Sequence, residues 1–347
     1  MKFEHLESIR SLALVGATGL VGREFLSILA EHRIRIPNIK LLASERSAGE
    51  SLNVQGDESL GVEILSERSF DGVEVAFFST PEDITRKYVP IALAAGCVVV
   101  DDSSVFRMDP QVPLVVPQIN GAELRDFQGQ IIATPNCSTT PLALVLKPLH
   151  DRFGLKRVVA STYQSVSGAG RSAYEELSRQ VGSLLNGVAV EPAVFAHQIA
   201  FNCLPLIGSV QENGNSSEEE KIVRELRKIL SLPQLKVSAT AVRVPTFCGH
   251  GITANVELEK DFGSVEEVKE FLDEYPGLKV LDKPDAHIYP TNVECIGSDL
   301  TMVGRIRRDH SLASGINFWV IADNLRKGAA LNALEIMETL FNYRRMS

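Results

Sequence analysis

Cys137 lies in TPNCSTT, directly after an apolar run at 131–133 and ahead of Pro141-Leu-Ala-Leu-Val, which has the look of a helix. A thiol at a helix start gains from the positive end of the helix dipole, so its pKa falls and thiolate forms near neutral pH. That is where a nucleophile belongs, although a single cysteine is also a common small buried residue. Further on, RVPTFCGHG over 243–251 carries an arginine-bearing strand into a Gly-His-Gly loop. Histidine exchanges protons near pH 7, and flanking glycines let its ring approach a ligand, so His250 is the candidate acid/base partner of Cys137. The plain alternative is a loop histidine in solvent. Cys248, two residues before His250, is a rival nucleophile without the helix-start setting, and the other histidines (His5, His32, His150, His197, His287, His310) read as structural.

A second constellation opens the chain. GATGLVG at 16–22 sits between an apolar run and an amphipathic stretch, where backbone N–H groups from Gly16 through Thr18, Gly19, Leu20, Val21 and Gly22 can receive a pyrophosphate at a helix N-terminus. A site for NAD usually carries an acid at the end of the second strand, whereas a site for NADP offers arginine or hydroxyls to the 2′-phosphate. This chain reads LLASERSAG over 41–49, and Ser44, Arg46 and Ser47 could all donate to phosphate oxygens, which favours NADP. The same residues also read as a solvated turn.

These residues need elements to hold them. Short apolar runs at 12–15, 40–43, 73–79, 97–101 and 131–133 alternate with helical patterns such as 20–31, the signature of a doubly wound parallel sheet. Beyond Cys137 the texture changes to a helix at 140–150, strands at 158–164, 237–244 and 254–258, and a long irregular connection over 182–215, which suggests an α+β domain. Helical spacing returns at 324–343, with a small face at 328–330. A chain of 347 residues has room for two such domains: 1–133 with 323–347, and 134–322.

Composition narrows the classes of function. Lys and Arg total 35 against 44 Asp and Glu, a net charge of −9 with no dense basic block, so nucleic acid is not the expected partner. Five scattered cysteines without a C-x-x-C suggest neither a disulfide framework nor a metal site, and fit a reducing, cytoplasmic setting. The N-terminus lacks a basic leader followed by a long apolar segment. The longest apolar run, 88–100, is broken by Pro90 and Gly96 and falls short of the roughly 20 residues that span a bilayer, so no membrane partner is expected.

Taken together, GATGLVG, LLASERSAG, DDSSVFR, VVPQIN, TPNCSTT, YQSVSGAG, HQIAFN, SSEEEK, RVPTFCGH and DNLRKGAALNALE run in order along nearly the whole chain and closely resemble aspartate-β-semialdehyde dehydrogenase. The resemblance implies an α/β protein with a Rossmann-type doubly wound domain for NADP and an α+β catalytic and dimerisation domain, hence a homodimer. It implies reductive dephosphorylation of β-aspartyl phosphate by NADPH through a cysteine thioester, in the biosynthesis of lysine, diaminopimelate, methionine, threonine and isoleucine. Cys137 would be the nucleophile, His250 the acid/base and Gln164 the residue orienting the acyl group. Arg243 would grip the α-carboxylate and Glu218 face the α-ammonium, with Glu219 as the alternative register. Lys221, Arg107 and Asn136 would hold the phosphate. Ser167, Gly168 and Asn324 would join the glycine turn in holding the cofactor.

Plainer readings stand beside these. Glu218 and Lys221 could be an ordinary exposed pair at a helix start, and Arg107 a surface cation. Two departures from the family pattern are visible: Gly251 follows His250 where a polar or acidic residue is frequent, and Gln118 stands where glutamate is frequent. The rival enzyme is N-acetyl-γ-glutamyl-phosphate reductase, whose substrate has no free ammonium for Glu218. The rival outside catalysis is an idle relative that keeps the fold.

Overall fold

The computed structural model describes residues 3–55 and 58–346. The chain forms two compact units, Met1–Asn136 with Ala329–Ser347, and Cys137–Gly328. The bounds read from the sequence, 134 and 323, lie a few residues earlier.

In the first unit the strands are β1 (Leu12–Val15), β2 (Ile39–Ala43), β3 (Ser51–Gln55), β4 (Glu58–Ile64), β5 (Val75–Phe78), β6 (Val98–Asp101) and β7 (Ile131–Ala133). They form one sheet in the order β3-β4-β2-β1-β5-β6-β7. All pairings are parallel except β3 with β4. Every residue of β1, β5 and β6 is buried, which is why these strands are continuous apolar runs rather than alternating ones. Helices α1 (Leu20–Glu31) and α2 (Glu82–Ala94) and the short α3 (Pro117–Asn120) follow β1, β5 and β6. The hairpin of β3 and β4 has no counterpart in the sequence reading. Strand order reverses at β1, which has β2 on one side and β5 on the other; that is the point at which open α/β sheets leave a crevice for a ligand.

The second unit begins with α4 (Thr139–Phe153), β8 (Leu155–Gln164), α5 (Arg171–Leu185), α6 (Ser217–Ile229), β9 (Lys236–Arg243) and β10 (His250–Leu258). It continues through α7 (Val265–Asp273), β11 (Leu278–Val280), α8 (Asn292–Cys295), β12 (Thr301–Asp309) and β13 (Gly315–Ala322). Its sheet has the order β11-β12-β13-β10-β8-β9. The irregular stretch therefore starts after Leu185, because α5 runs on to that residue.

Register in this sheet decides what meets what. Gln164, the last residue of β8, lies beside Arg243, the last of the parallel strand β9. His250, the first residue of the antiparallel β10, pairs with Ala322 at the end of β13. One edge of the sheet thus collects the ends of four strands. The sequence reading placed His250 in a loop and started the strand at 254; the structure starts the strand at the histidine and buries it.

The chain returns to the first unit through a π-helical turn, Arg326–Ala330, and ends in α9 (Leu331–Met346), later than the helical spacing from 324 suggests. Glu338 on α9 accepts from the backbone N–H groups of Glu4, His5 and Leu6 at 2.9–3.0 Å and lies 2.7 Å from His5 Nδ1. A carboxylate on these orphan N–H groups caps the turn Leu6–Ser8 and fixes the last helix to the start of the chain. Gln118 is part of the same packing, its amide donating to Glu335 at 2.8 Å. Among the described residues, no helix is long and apolar enough to cross a membrane.

Candidate active site

In the first unit, β1 ends at Val15 and the chain turns at Gly16, whose φ of +93° suits glycine. A Cβ there would stand 2.2 Å from the carbonyl oxygen of Ser79, and one on Gly22 would stand 2.4 Å from that of Gly16. Gly19 is the N-cap of α1 and offers no side chain to the orphan N–H groups of the first turn. This cradle without side chains, ahead of an uncapped helix at the switch point of the sheet, fits a dinucleotide pyrophosphate. Beyond β2 the turn Glu45–Ser47 exposes Ser44 and Arg46, and Thr18 Oγ1 donates to Ser47 Oγ at 3.2 Å, so this turn stands beside the glycine turn.

Arg107 is 6% exposed, which removes the reading as a surface cation, and its Nη2 donates to the carbonyl oxygen of Asp102 at 2.7 Å. Burial pushes the Asp102 carboxyl up to about 7, against the opposing pull of Arg107 and of the Thr134 hydroxyl, which donates to it at 2.5 Å. Asn136 is buried at the end of this unit.

The second unit opens with Cys137, half-buried, immediately before Ser138, the N-cap of α4. Ser138 does not cap the helix with its side chain; its hydroxyl instead accepts from Gln164 Nε2. The same amide nitrogen donates to Glu218 Oε1 at 3.0 Å, and Gln164 Oε1 is buried without a hydrogen-bond partner. Of the acids opening α6, Glu218 is the one that faces this cluster. Glu219 instead accepts from the backbone N–H groups of Ser216 at 2.7 Å and Ala241 at 3.0 Å, and Glu220 is engaged by Asn213, Asn215 and Arg224. Lys221 Nζ lies 3.5 Å from Glu218 Oε2.

Arg243 Nη1 donates to the carbonyl oxygen of Ser165 at 2.7 Å. Burial lowers the Arg243 pKa, while the neighbouring charges of Glu218 and Cys137 work to keep it cationic. Burial, and then the Arg243 charge, press His250 down to about 3 against the opposing pull of Glu218, so its ring is neutral at physiological pH. Gly168 makes room for both side chains: a Cβ there would lie 2.8 Å from His250 Nε2 and 3.0 Å from Arg243 Nη1. Ser167 and Asn324 hydrogen-bond each other at 3.0 Å beside the imidazole. Burial, and then the Asp323 carboxylate, drive the Cys248 thiol pKa far upward.

Cys137, Gln164, Glu218, Lys221, Arg243, His250, Ser167, Gly168 and Asn324 all belong to the second unit, and the glycine turn, Ser44, Arg46, Ser47, Arg107 and Asn136 to the first. Ser138 and Ser165 take part in the cluster without having been singled out from the sequence; their neighbours Cys137 and Gln164 were the only signal. Gly251 also has a physical reason: a Cβ there would strike the Trp319 ring at 2.2 Å, and that ring packs against Tyr163 with centroids 5.5 Å apart.

A dinucleotide cradle in one unit and a cysteine, an amide, an arginine and a neutral histidine gathered in the other define the class of nucleotide-dependent oxidoreductases. Two family models match, the semialdehyde dehydrogenase NAD-binding domain over 11–127 and the semialdehyde dehydrogenase dimerisation domain over 146–327. The chain belongs to the semialdehyde dehydrogenase family. It is 46% identical over 331 residues to the aspartate-semialdehyde dehydrogenase of Aquifex aeolicus, covering 95% of this chain and 97% of that one. The Bacillus subtilis enzyme of the same name is 41% identical, with 95% and 96% covered. The crystal structure of aspartate semialdehyde dehydrogenase II from Vibrio cholerae complexed with ASA matches with a TM-score of 0.92 at 41% identity, covering 96% of this chain and 98% of that one.

Proposed function

We propose that the protein is an NADP-dependent aspartate-semialdehyde dehydrogenase. It takes β-aspartyl phosphate, NADPH and a proton to aspartate semialdehyde, NADP and phosphate, and runs in both directions, as a step in the biosynthesis of lysine, methionine, threonine and isoleucine. The observation that carries this reading is one cluster holding a half-exposed Cys137, Gln164 tied to Glu218, and buried Arg243 and His250. Homologues of that name, 41–46% identical over nearly the full chain, support it.

In this reading the Cys137 thiolate attacks the acyl carbon, the carbon–oxygen bond to phosphate breaks, and a thioester remains on sulfur. Gln164 orients the acyl group, and its buried, unpartnered Oε1 shows that its hydrogen-bonding capacity is not exhausted by the protein. Bound NADPH supplies the hydride that reduces the thioester. His250 then holds the proton at the thiohemiacetal oxygen while the carbon–sulfur bond breaks and the aldehyde leaves. Arg243 grips the α-carboxylate with the bidentate geometry of its guanidinium, and Glu218 faces the ammonium. The phosphoryl group is assigned to Lys221, Arg107 and Asn136, and the cofactor to the glycine turn with Ser44, Arg46, Ser47, Ser167, Gly168 and Asn324.

The test is turnover. The protein is expected to form NADPH from aspartate semialdehyde, NADP and phosphate, and to use β-aspartyl phosphate in reverse. Faster use of N-acetyl-γ-glutamyl phosphate would assign the rival reductase, and folded protein without signal would assign an idle relative. For the cofactor, Arg46→Ala is expected to raise the NADP KM about 10- to 100-fold, the worth of losing charge-assisted hydrogen bonds, with the NAD KM nearly unchanged. Equal effects on both would remove the 2′-phosphate contact.

The chain carries the family's dimerisation domain. We place the homodimer contact on the sheet face that presents Tyr163, Thr253, Asn255 and Trp319, because the alternate residues of the same strands are buried within the unit. A cytoplasmic location fits five free cysteines and a mechanism that needs a reduced one.

A further inference from the structure

We infer that Ser165 is the positioning residue of this site: its peptide and hydroxyl, tied down by Asn324, hold His250 so that the imidazole presents Nε2–H to the reacting oxygen. The inference rests on the proposed function only for the identity of that oxygen.

Ser165 follows the last residue of β8, and its backbone N–H donates to His250 Nδ1 at 3.1 Å. A peptide N–H can only donate, so Nδ1 must offer a lone pair, and a neutral imidazole then carries its proton on Nε2. The opposite tautomer would set two N–H groups against each other in a buried place. Ser165 Oγ stands 3.0 Å from the same nitrogen and 3.1 Å from Asn324 Oδ1, so its one proton is shared between two acceptors, the bare Nδ1 and the amide oxygen. Asn324 Oδ1 also accepts from the Gly249 N–H at 2.9 Å, so one amide orders both the serine and the backbone leading into the histidine. On its other side the Ser165 carbonyl accepts from Arg243 Nη1. A single residue therefore orients the imidazole with its N–H and the guanidinium with its C=O.

Both of those side chains pack against Gly168, where a side chain would strike them, and His250 Nε2 is buried with no hydrogen-bond partner among the described residues. A proton held on Nε2 is therefore not taken up by any group of the described residues. The charged groups acting on the ring are Arg243 from β9 and Glu218 from α6; Arg243 and burial disfavour a second proton, so the neutral tautomer is the species that matters.

The direct test is 15N NMR of histidine-labelled full-length protein without ligands, with His250 assigned by the signals lost in His250→Asn. Neutral His250 is expected to show a protonated Nε2 and a bare Nδ1; a protonated Nδ1 overturns the inference. Ser165→Ala is expected to lower kcat about 10- to 100-fold with the KM for semialdehyde and NADP within about threefold, and to broaden or shift the His250 signals. Unchanged kcat and unchanged signals overturn the role of the hydroxyl. Asn324→Asp keeps the acceptor and adds a charge, so the pH at which His250 takes its second proton is expected to rise by more than one unit in the same spectra; no shift overturns the Asn324 link. Because the spectra need no turnover, a wild-type protein that is inactive refutes the proposed function while leaving the tautomer measurable.

Discussion

Cys137→Ser is expected to lose turnover by about 10⁴- to 10⁶-fold while binding NADP with a Kd within about twofold of wild type. Oxygen fails twice at this position. A serine hydroxyl is intrinsically a far weaker acid than a thiol, and an ester is a poorer hydride acceptor and a poorer source of leaving group than a thioester. The loss should be chemical rather than structural, because Cys137 is packed by Gly328, where a Cβ would stand 2.8 Å from the cysteine Cβ, and serine fits the same space. Burial and Asp323 raise the Cys248 thiol pKa, which disfavours it as a replacement nucleophile. Cys248→Ala should accordingly keep most of the activity. Single-turnover formation of NADPH, with mass spectrometry of the acylated chain, checks both variants. A Cys137→Ser protein that still acylates and turns over would move the nucleophile to Cys248.

The cradle at 16–22 could be read from the sequence because strand, glycine turn and helix are consecutive, and local order carries the whole device. Parallel strands were visible for a related reason: burial on both faces makes them plain apolar runs. The second unit was harder, since the position of Gln164 beside Arg243, and of His250 beside Ala322, follows from pairings between distant strands. His250 looked like a turn residue because glycine flanks it, yet each glycine answers a neighbour. Gly249 adopts φ +86° against Cys295 and Asn292, and Gly251 clears the Trp319 ring. Glu218 and Glu219 are distinguishable in the sequence: Ser216-x-x-Glu219 is a capping box, which commits Glu219 to the helix start and leaves Glu218 for the site. Nothing in one sequence marks Ser165, whose significance lies in which atoms its peptide meets.

Arg243→Lys is expected to cut kcat/KM for aspartate semialdehyde by about 10²- to 10³-fold, or about 3–4 kcal/mol, with most of the loss in KM. Charge alone does not define this position. The guanidinium is 6% exposed, spends Nη1 on the Ser165 carbonyl and keeps further donors for a carboxylate, a division that an ammonium on a flexible stem cannot reproduce. Lysine also yields more readily to the burial that already lowers the arginine pKa. The sign of the resulting pH dependence follows. In the proposed role the cationic form grips the carboxylate, so KM of the variant should climb as pH rises through the lowered lysine pKa, while the arginine enzyme stays flat over the same range. A substrate lacking the α-carboxylate, 3-aminopropanal, separates the two parts of the effect. It should be poor for both enzymes and nearly equal between them, since the group assigned to Arg243 is gone. If instead the lysine variant keeps its KM for aspartate semialdehyde within threefold and shows no alkaline rise, the carboxylate is held elsewhere and Arg243 serves only to brace the Ser165 peptide.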